Sequence, residues 1–169
     1  PHTLLDYNDF FIIYDMPISE QNPEVLWHRL PDDVAAIYYF TYSADLVSQY
    51  GPDDLRFQLY ATDYGSGEYN VGPPDFGTYG ITFPEIYLIK AEALIRNNKI
   101  NDAMDVLNLL REKRISAGSY TPSTAATIDQ ALALVWHERR LELAFKGTRW
   151  MDMKRLNELG KMPVVKRLE

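Results

Sequence analysis

A chain of 169 residues with 46% hydrophobic content is long enough to form one domain with a buried core. Its 17 basic and 24 acidic side chains give a net charge of -7, which disfavours attraction to the phosphate backbone of nucleic acids. The lack of cysteine excludes disulfides, thiolate metal sites and a lipid-bearing cysteine within this sequence. No apolar run approaches the ~18 residues of a spanning helix, and the first ten residues do not resemble an export signal.

Residues 1–80 predict an irregular, loop-rich half. Glycine and proline interrupt this half repeatedly, and the pattern favours only two regular pieces, a short strand at 24–28 and a helix around 43–49. Glycine and proline are densest between residues 60 and 80, where we predict a long loop or a pair of hairpin turns.

Residues 81–169 predict a helical half. Apolar side chains recur at i, i+3, i+4 and i+7 within 101–114, which is typical of an amphipathic helix. Residues 83–96 carry small alanines that permit close approach of a neighbouring helix, so the two segments predict an antiparallel hairpin. A third helix is expected to begin at Thr127, the first residue of a capping box.

The segment 137–155, HERRLELAFKGTRWMDMKR, combines charges with large apolar residues. Helical spacing places Glu138 and Glu142 on one face, one turn apart. The carboxylates alternate with arginines, namely Arg139, Arg140 and Arg149. Such arginines would keep the carboxylates ionised, whereas the general acid of a glycoside hydrolase needs a raised pKa. We therefore predict a buried ionic network that stabilises the fold, with Arg149 as a contributor, and no catalytic residue.

This segment resembles the C-terminal signature of the SusD/RagB family, glycan-binding lipoproteins on the surface of some Gram-negative bacteria. Other segments agree in order: NPEVLWHR at 22–29, YSADLVSQYGPDDLRF at 42–57, and the two helices at 83–114, which resemble the family's tetratricopeptide-like hairpin. One position departs from the family pattern. Lys146 stands where the family usually carries Glu, so this chain is not expected to make the salt bridge of that Glu.

The resemblance implies a mainly α, SusD-like fold, with a tetratricopeptide-like helical hairpin and C-terminal helices after a loop-rich half that contains short strands. It implies that residues 1–169 form a single C-terminal region of a longer protein, with halves 1–80 and 81–169. The complete protein would be lipid-anchored to the outer membrane at the cell surface, through an anchor absent from this sequence. It would bind oligosaccharide without cleaving it and deliver it to a SusC-like TonB-dependent transporter.

Aromatic residues without helical spacing predict two sugar-binding segments, at 38–42 and in the glycine-rich loop at 61–80. A flat ring can stack on the C–H face of a sugar while neighbouring amides and carboxylates bind its hydroxyls. The candidate carbohydrate-binding residues are Tyr64, Tyr69, Tyr79, Phe76, Asp63, Asn70, Tyr38 and Tyr39. The alternative is that these rings fill a crevice between the two halves. Core positions are the expectation for Trp27, Tyr87, Trp136 and Trp150.

Two other functions stay open from the sequence. The chain could be a protein-interaction fragment that docks the transporter while the sugar contacts lie elsewhere, or, less favoured, a hydrolase. No metal or other cofactor is expected, because the three histidines are far apart and lack partners at metal-ligand spacing.

Overall fold

A computed structural model describes residues 2–28, 40–63, 65–72 and 80–162. In these ranges the α-helices are α1 (Ala44–Val47), α2 (Leu55–Tyr60), α3 (Phe83–Arg96), α4 (Ile100–Glu112), α5 (Ile128–Glu142) and α6 (Arg149–Glu158), and two short 3-10 helices lie at Tyr7–Asp9 and Ile13–Asp15. The strands are β1 (Val25–His28), β2 (Ala61–Asp63), β3 (Tyr69–Val71) and β4 (Gly80–Thr82). None of the helices in the described ranges is long and apolar enough to cross a bilayer.

The helical half is built on the α3–α4 hairpin, against which α5 packs. The turn between α3 and α4 uses Asn98 at φ 61°, a left-handed conformation that asparagine tolerates. The core between the three helices consists mainly of Leu88, Ala91, Ile95, Ala103, Leu107, Leu110, Ala131 and Val135. Alanine at the helix contacts allows close packing, which confirms the predicted hairpin.

The ends of α5 are set by local chemistry. Thr127 Oγ1 accepts a hydrogen bond from the Gln130 backbone N–H at 3.2 Å, as predicted, while Gln130 Oε1 accepts from the Ala126 N–H at 2.9 Å. After the helix ends at Glu142, both Phe145 (φ 61°) and Gly147 (φ 79°) adopt the left-handed conformation. These two residues turn the chain sharply into α6.

The loop-rich half contains two small antiparallel pairs, β1 with β4 and the β2–β3 hairpin. Gly80, at φ 111°, is required where β4 meets β1, because a Cβ there would lie 2.3 Å from the Trp27 carbonyl oxygen. A second small core joins Tyr7, Ile13, Met16 and Leu59. Helix α2, which the sequence pattern did not predict, has Asp54 as its N-cap.

Two of the four predicted core aromatics are in fact exposed. Trp27 is 58% exposed on β1 and Trp150 is 67% exposed on α6. By contrast, Tyr87 and Trp136 pack against the helical core, and the Trp136 Nε1–H donates to Glu92 Oε2 at 3.2 Å. A helix or strand setting predicts which residues share a face, but not which face another element covers.

Candidate functional site

Carboxylates and guanidinium groups from four segments form a buried cluster, which we call the central network. Its members in the described residues are Glu24, Asp54, Arg56, Arg111, Arg114, Glu138 and Glu142. They come from the residue before β1, from α2 and its N-cap, from the last turn of α4 and the residues just after it, and from α5. The network therefore joins the loop-rich half to the helical half at the centre of the molecule.

Arg56 connects α2 to α5. Its guanidinium lies 2.7 Å from Asp54 Oδ2, 2.5 Å from Glu138 Oε1 and 3.1 Å from Glu142 Oε2. All of these side chains are almost completely buried. A charge at such depth is tolerated only because each partner satisfies it.

Arg114 makes the corresponding connections from the end of α4. Its guanidinium bonds Glu24 Oε1 at 2.6 Å and Glu142 Oε2 at 3.1 Å, and donates to the Leu5 carbonyl at 2.8 Å. The same group lies 4.0 Å above the ring of Tyr7, a cation–π contact. Arg114 thus ties the N-terminal segment, β1 and α5 together.

The predicted buried network is confirmed, but its predicted cations are wrong. Glu138 and Glu142 are held by arginines of α2 and α4, while Arg139 bonds Glu85 and Asp152, and Arg140 bonds Asp45. Successive helical residues project about 100° apart, so residues next to Glu138 point away from the face that it shares with Glu142. Arg149 forms no ion pair with any residue in the described part of the chain, which contradicts its predicted place in the network.

The network keeps its central carboxylate ionised. Burial alone would raise the pKa of Glu142, but the positive charges of Arg114, Lys146 and Arg56 lower it to about 2. A carboxyl group with so low a pKa cannot donate a proton to a leaving group near neutral pH. This environment is the opposite of the one that a catalytic acid needs.

Lys146 balances the charge of the central network. The four network carboxylates face three guanidinium groups, and Lys146 adds a fourth positive charge, although it forms no ion pair in the described ranges. Burial lowers the pKa of Lys146, and the Glu142 carboxylate partly offsets that effect. The cavity beside Lys146, lined in part by Tyr7 and Tyr60, has a volume of about 60 Å³, too small for a sugar ring.

An open groove of about 390 Å³ lies between α1 and the β2–β3 hairpin, and we call it the hairpin groove. Its lining residues are Thr41, Tyr42, Ala44, Val47, Ser48, Gly67, Glu68 and Tyr69. The volume falls in the range of about 300–1,000 Å³ usual for small-ligand sites. The half-buried Tyr69 ring meets Phe57 edge-on, with 4.8 Å between ring centroids, and this contact restricts the movement of the ring.

The structure places three of the predicted sugar-binding residues near this groove. Tyr69 lines it, and Asn70 follows on β3, where it forms a β-bridge with Thr41. Asp63 shapes the hairpin turn, because its Oδ1 accepts hydrogen bonds from the Gly65 N–H at 2.7 Å and the Gly67 N–H at 3.4 Å. The other predicted residues lie outside the described ranges, namely Tyr38, Tyr39, Tyr64, Phe76 and Tyr79.

Sequence reasoning missed the polar residues opposite Tyr69. Thr41 and Ser48 are exposed along the hairpin groove, and no local pattern distinguishes them from ordinary surface residues. They become neighbours only because α1 packs beside the hairpin. In the part of the chain that the structure describes, no three His, Asp or Glu side chains converge as metal ligands would.

Comparisons with known proteins agree on one family. The sequence model of the SusD family matches residues 78–163 of this chain. A SusD-like protein P2 of Formosa agariphila is 39% identical over 82 residues, which are 44% of this chain and 16% of the relative.

Solved structures agree on the fold. A SusD-like carbohydrate binding protein from Bacteroides vulgatus is similar with a TM-score of 0.66 and 24% identity, over 99% of this chain and 40% of its own. A SusD-like protein from Bacteroides fragilis gives a TM-score of 0.53 and 19% identity, over 86% of this chain and 35% of its own. The chain thus spans less than half the length of these relatives. The expected mainly α, SusD-like fold is confirmed, and the chain belongs to the SusD family.

Proposed function

We propose that this chain captures oligosaccharide at the bacterial cell surface, without cleaving it, for delivery to a SusC-like TonB-dependent transporter. Membership of the SusD family supports glycan binding, and one solved relative is named as a carbohydrate binding protein. The observation that carries the proposal for this chain is the hairpin groove, where a fixed aromatic ring borders exposed polar side chains. The complete protein would be held at the outer membrane by a lipid anchor.

Capture in the hairpin groove would use two kinds of contact. The Tyr69 ring offers an apolar face to the C–H groups of a pyranose. Ser48 and Glu68, exposed on the same groove, offer a hydroxyl and a carboxylate to sugar hydroxyls. We propose that Asn70 and Asp63 support this edge of the groove, and that Tyr38, Tyr39, Tyr64, Phe76 and Tyr79 extend the sugar-binding surface.

Binding without cleavage is supported by the state of the paired carboxylates. Glu138 and Glu142 are 3% and 4% exposed, so no sugar reaches them, and Arg56 bonds both. With its pKa lowered to about 2 by the surrounding cations, despite its burial, Glu142 does not supply a proton.

Calorimetric titration with a panel of oligosaccharides tests the proposal. Tyr69→Ala should weaken binding of the best ligand by about 1–3 kcal/mol, whereas Tyr69→Phe should weaken it less, because the ring face is kept. Phe11→Ala is the matched control, since this ring is 95% exposed and does not line the hairpin groove. Thermal melts of each variant separate lost contacts from lost folding.

Three results would contradict the proposal in different ways. Unchanged affinity of the folded Tyr69→Ala variant for the oligosaccharide would show that the binding site is not in the hairpin groove. Release of shorter sugars would show a hydrolase. A folded protein that binds no oligosaccharide in the panel would favour the alternative function, a fragment that docks the transporter.

A further inference from the structure

A second groove, of about 440 Å³, lies between α1 and the beginning of α6, and we call it the α6 groove. The residues that matter for its chemistry are Phe40, Arg140, Phe145, Thr148, Arg149 and Trp150. Ser43 and Leu46 of α1 line this groove, whereas Ala44, Val47 and Ser48 line the hairpin groove. The two grooves therefore flank α1, whose four residues span only about 6 Å.

The α6 groove carries an excess of positive charge. Arg140 bonds Asp45, and Asp152 is held by Arg139 and Arg155. In the described part of the chain this leaves Arg149 without an ion pair, because both neighbouring carboxylates, Asp45 and Asp152, lie beyond 4.0 Å of its guanidinium. Burial lowers the pKa of Arg149, and repulsion from Arg140 lowers it further. Three guanidinium groups, those of Arg139, Arg140 and Arg149, thus line the groove with one carboxylate, that of Asp152, so a bound anion would relieve their repulsion.

The start of α6 adds to this positive field. Thr148 occupies the N-cap position but makes no capping hydrogen bond, and its buried Oγ1 has no hydrogen-bond partner among the described residues. The first N–H groups of the ten-residue helix therefore lack a side-chain acceptor at the edge of the groove. Helix N-termini with free N–H groups favour negative charge.

The groove also presents aromatic rings. Trp150 is 67% exposed and Phe40 is 51% exposed, and both line the groove that contains Arg149. An exposed indole can stack on the C–H face of a sugar ring. A guanidinium group binds carboxylate and sulfate oxygens with two parallel hydrogen bonds. A ring beside an unpaired arginine is suited to a ligand that is both a sugar and an anion.

We propose that the α6 groove binds an acidic sugar residue, bearing a carboxylate or a sulfate group, through Arg149 and Trp150. This inference rests on the proposed glycan binding and specifies in addition that the glycan is negatively charged. Arg149 bonds the acidic group, Trp150 stacks on the ring, and the neighbouring part of the same oligosaccharide lies across α1 in the hairpin groove. The preferred ligand is therefore an anionic oligosaccharide, although the protein itself has a net charge of -7.

The test compares charged and neutral forms of the same oligosaccharide. Titrations use a short oligogalacturonate and its methyl ester, and a sulfated galactan oligosaccharide and its desulfated form, which distinguish a carboxylate from a sulfate ligand. Arg149→Gln should weaken binding of the charged member of a pair about tenfold or more, and leave the neutral member unchanged. Trp150→Ala should weaken both members, because the ring face is lost.

Lys90→Gln is the matched control, since it removes one positive charge from an exposed position on α3 that does not line the groove. This variant should leave every affinity unchanged. Higher salt should weaken binding of the charged ligand to the unaltered protein more than binding to Arg149→Gln.

The outcomes separate this inference from the proposed function. Equal affinity for charged and neutral forms, with loss of both in Tyr69→Ala, would overturn the acidic subsite and leave glycan binding in place. Charge-dependent binding that is lost in Arg149→Gln and unaffected by Tyr69→Ala would support the subsite and overturn the hairpin groove as the site. Failure of all four oligosaccharides to bind would overturn the inference, whereas binding of other, neutral glycans in the wider panel would preserve the proposed function.

Discussion

Glu138 and Glu142 of the central network lie in the same stretch of sequence as the charges around α6, but the two groups of charges differ in burial and in the origin of their partners. In the central network the Arg114 side chain is 0% exposed and bonds carboxylates 28 and 90 positions away. Around α6, Arg155 is 37% exposed, and one of its partners, Asp152, is three positions away. Adjacent residues of one signature thus serve two purposes, because helix geometry sends them to different environments. Buried charges hold the fold together, whereas at the edge Arg149 has no ion pair within the described residues.

Among the variants that test this comparison, Arg114→Ala is expected to lose the most stability. The change leaves Glu24 and Glu142 buried without a principal partner, which should lower the free energy of unfolding by about 3–5 kcal/mol. Urea denaturation of this variant measures the loss, with the exposed Lys99→Ala as control. If Arg114→Ala does not fold, Arg114→Lys keeps the charge but not the paired hydrogen bonds and should show a smaller loss. A urea midpoint close to that of the unaltered protein in both variants would mean that the network does not stabilise the fold.

Acid should weaken the central network in a defined pH range. Burial opposes ionisation of Glu142, but Arg114, Lys146 and Arg56 lower its pKa from an ordinary 4.5 to about 2 in the folded protein. Its stabilising contribution is therefore complete above about pH 4.5 and is lost as the pH falls towards about 2, because the unfolded chain takes up the proton first. Urea midpoints measured across this range should fall with pH. Glu142→Gln should show a shallower fall, and an equally steep one would assign the effect to other carboxylates.

A smaller loss of stability is expected from Arg139→Ala, which lies nearer the surface of the molecule. Arg139→Ala removes bonds to Glu85 at 2.9 Å and Asp152 at 2.8 Å, which join α3, α5 and α6 in a partly exposed setting. The expected cost is about 1.5–3 kcal/mol, below that of Arg114→Ala, because water can solvate the carboxylates that remain. Thermal unfolding under identical conditions ranks the two variants. A larger loss of stability in Arg139→Ala than in Arg114→Ala would show that burial does not determine how much each ion-pair network contributes to stability.

The smallest stability effect is expected from Arg149→Ala. Since this side chain has no ion pair in the described residues, the free energy of unfolding should change by less than about 0.5 kcal/mol. A differential thermal melt against the unaltered protein is sufficient to measure it. A loss of stability comparable to that of Arg139→Ala would mean that Arg149 stabilises the fold, as the sequence had suggested. It would then not be available to bind a ligand.

The sequence predicted the helical half well because its signals are local. Apolar spacing and small residues identified α3 and α4, and Thr127 identified the start of α5. Helix α2 was missed, although Asp54 before it accepts a hydrogen bond from the Arg56 N–H, an N-cap that the sequence displays. A six-residue helix between turns has too few apolar repeats to stand out.

Long-range partners were beyond the reach of sequence patterns. Arg56 meets Glu138 and Glu142 across 82 and 86 positions, so neighbouring arginines seemed to be the natural partners. The same reasoning misplaced Trp27 and Trp150, because an aromatic in a regular element is buried only where another element covers it. Of the candidate site, the sequence indicated Tyr69, Asp63 and Asn70, whereas Thr41 and Ser48 became their neighbours only through packing.

The order in which the central network is assembled constrains how the protein is made. A chain synthesised from its N-terminus presents Arg56, Arg111 and Arg114 before the carboxylates of α5 exist. At that stage Asp54 can pair with Arg56 and Glu24 with Arg114, but Glu138, the partner of Arg111, is missing. The three arginines are therefore incompletely paired and cannot all enter a dry interior. The loop-rich half therefore closes only after α5 has been synthesised. A product truncated before residue 138 lacks Glu138 and Glu142, so its loop-rich half stays open and exposed to proteases.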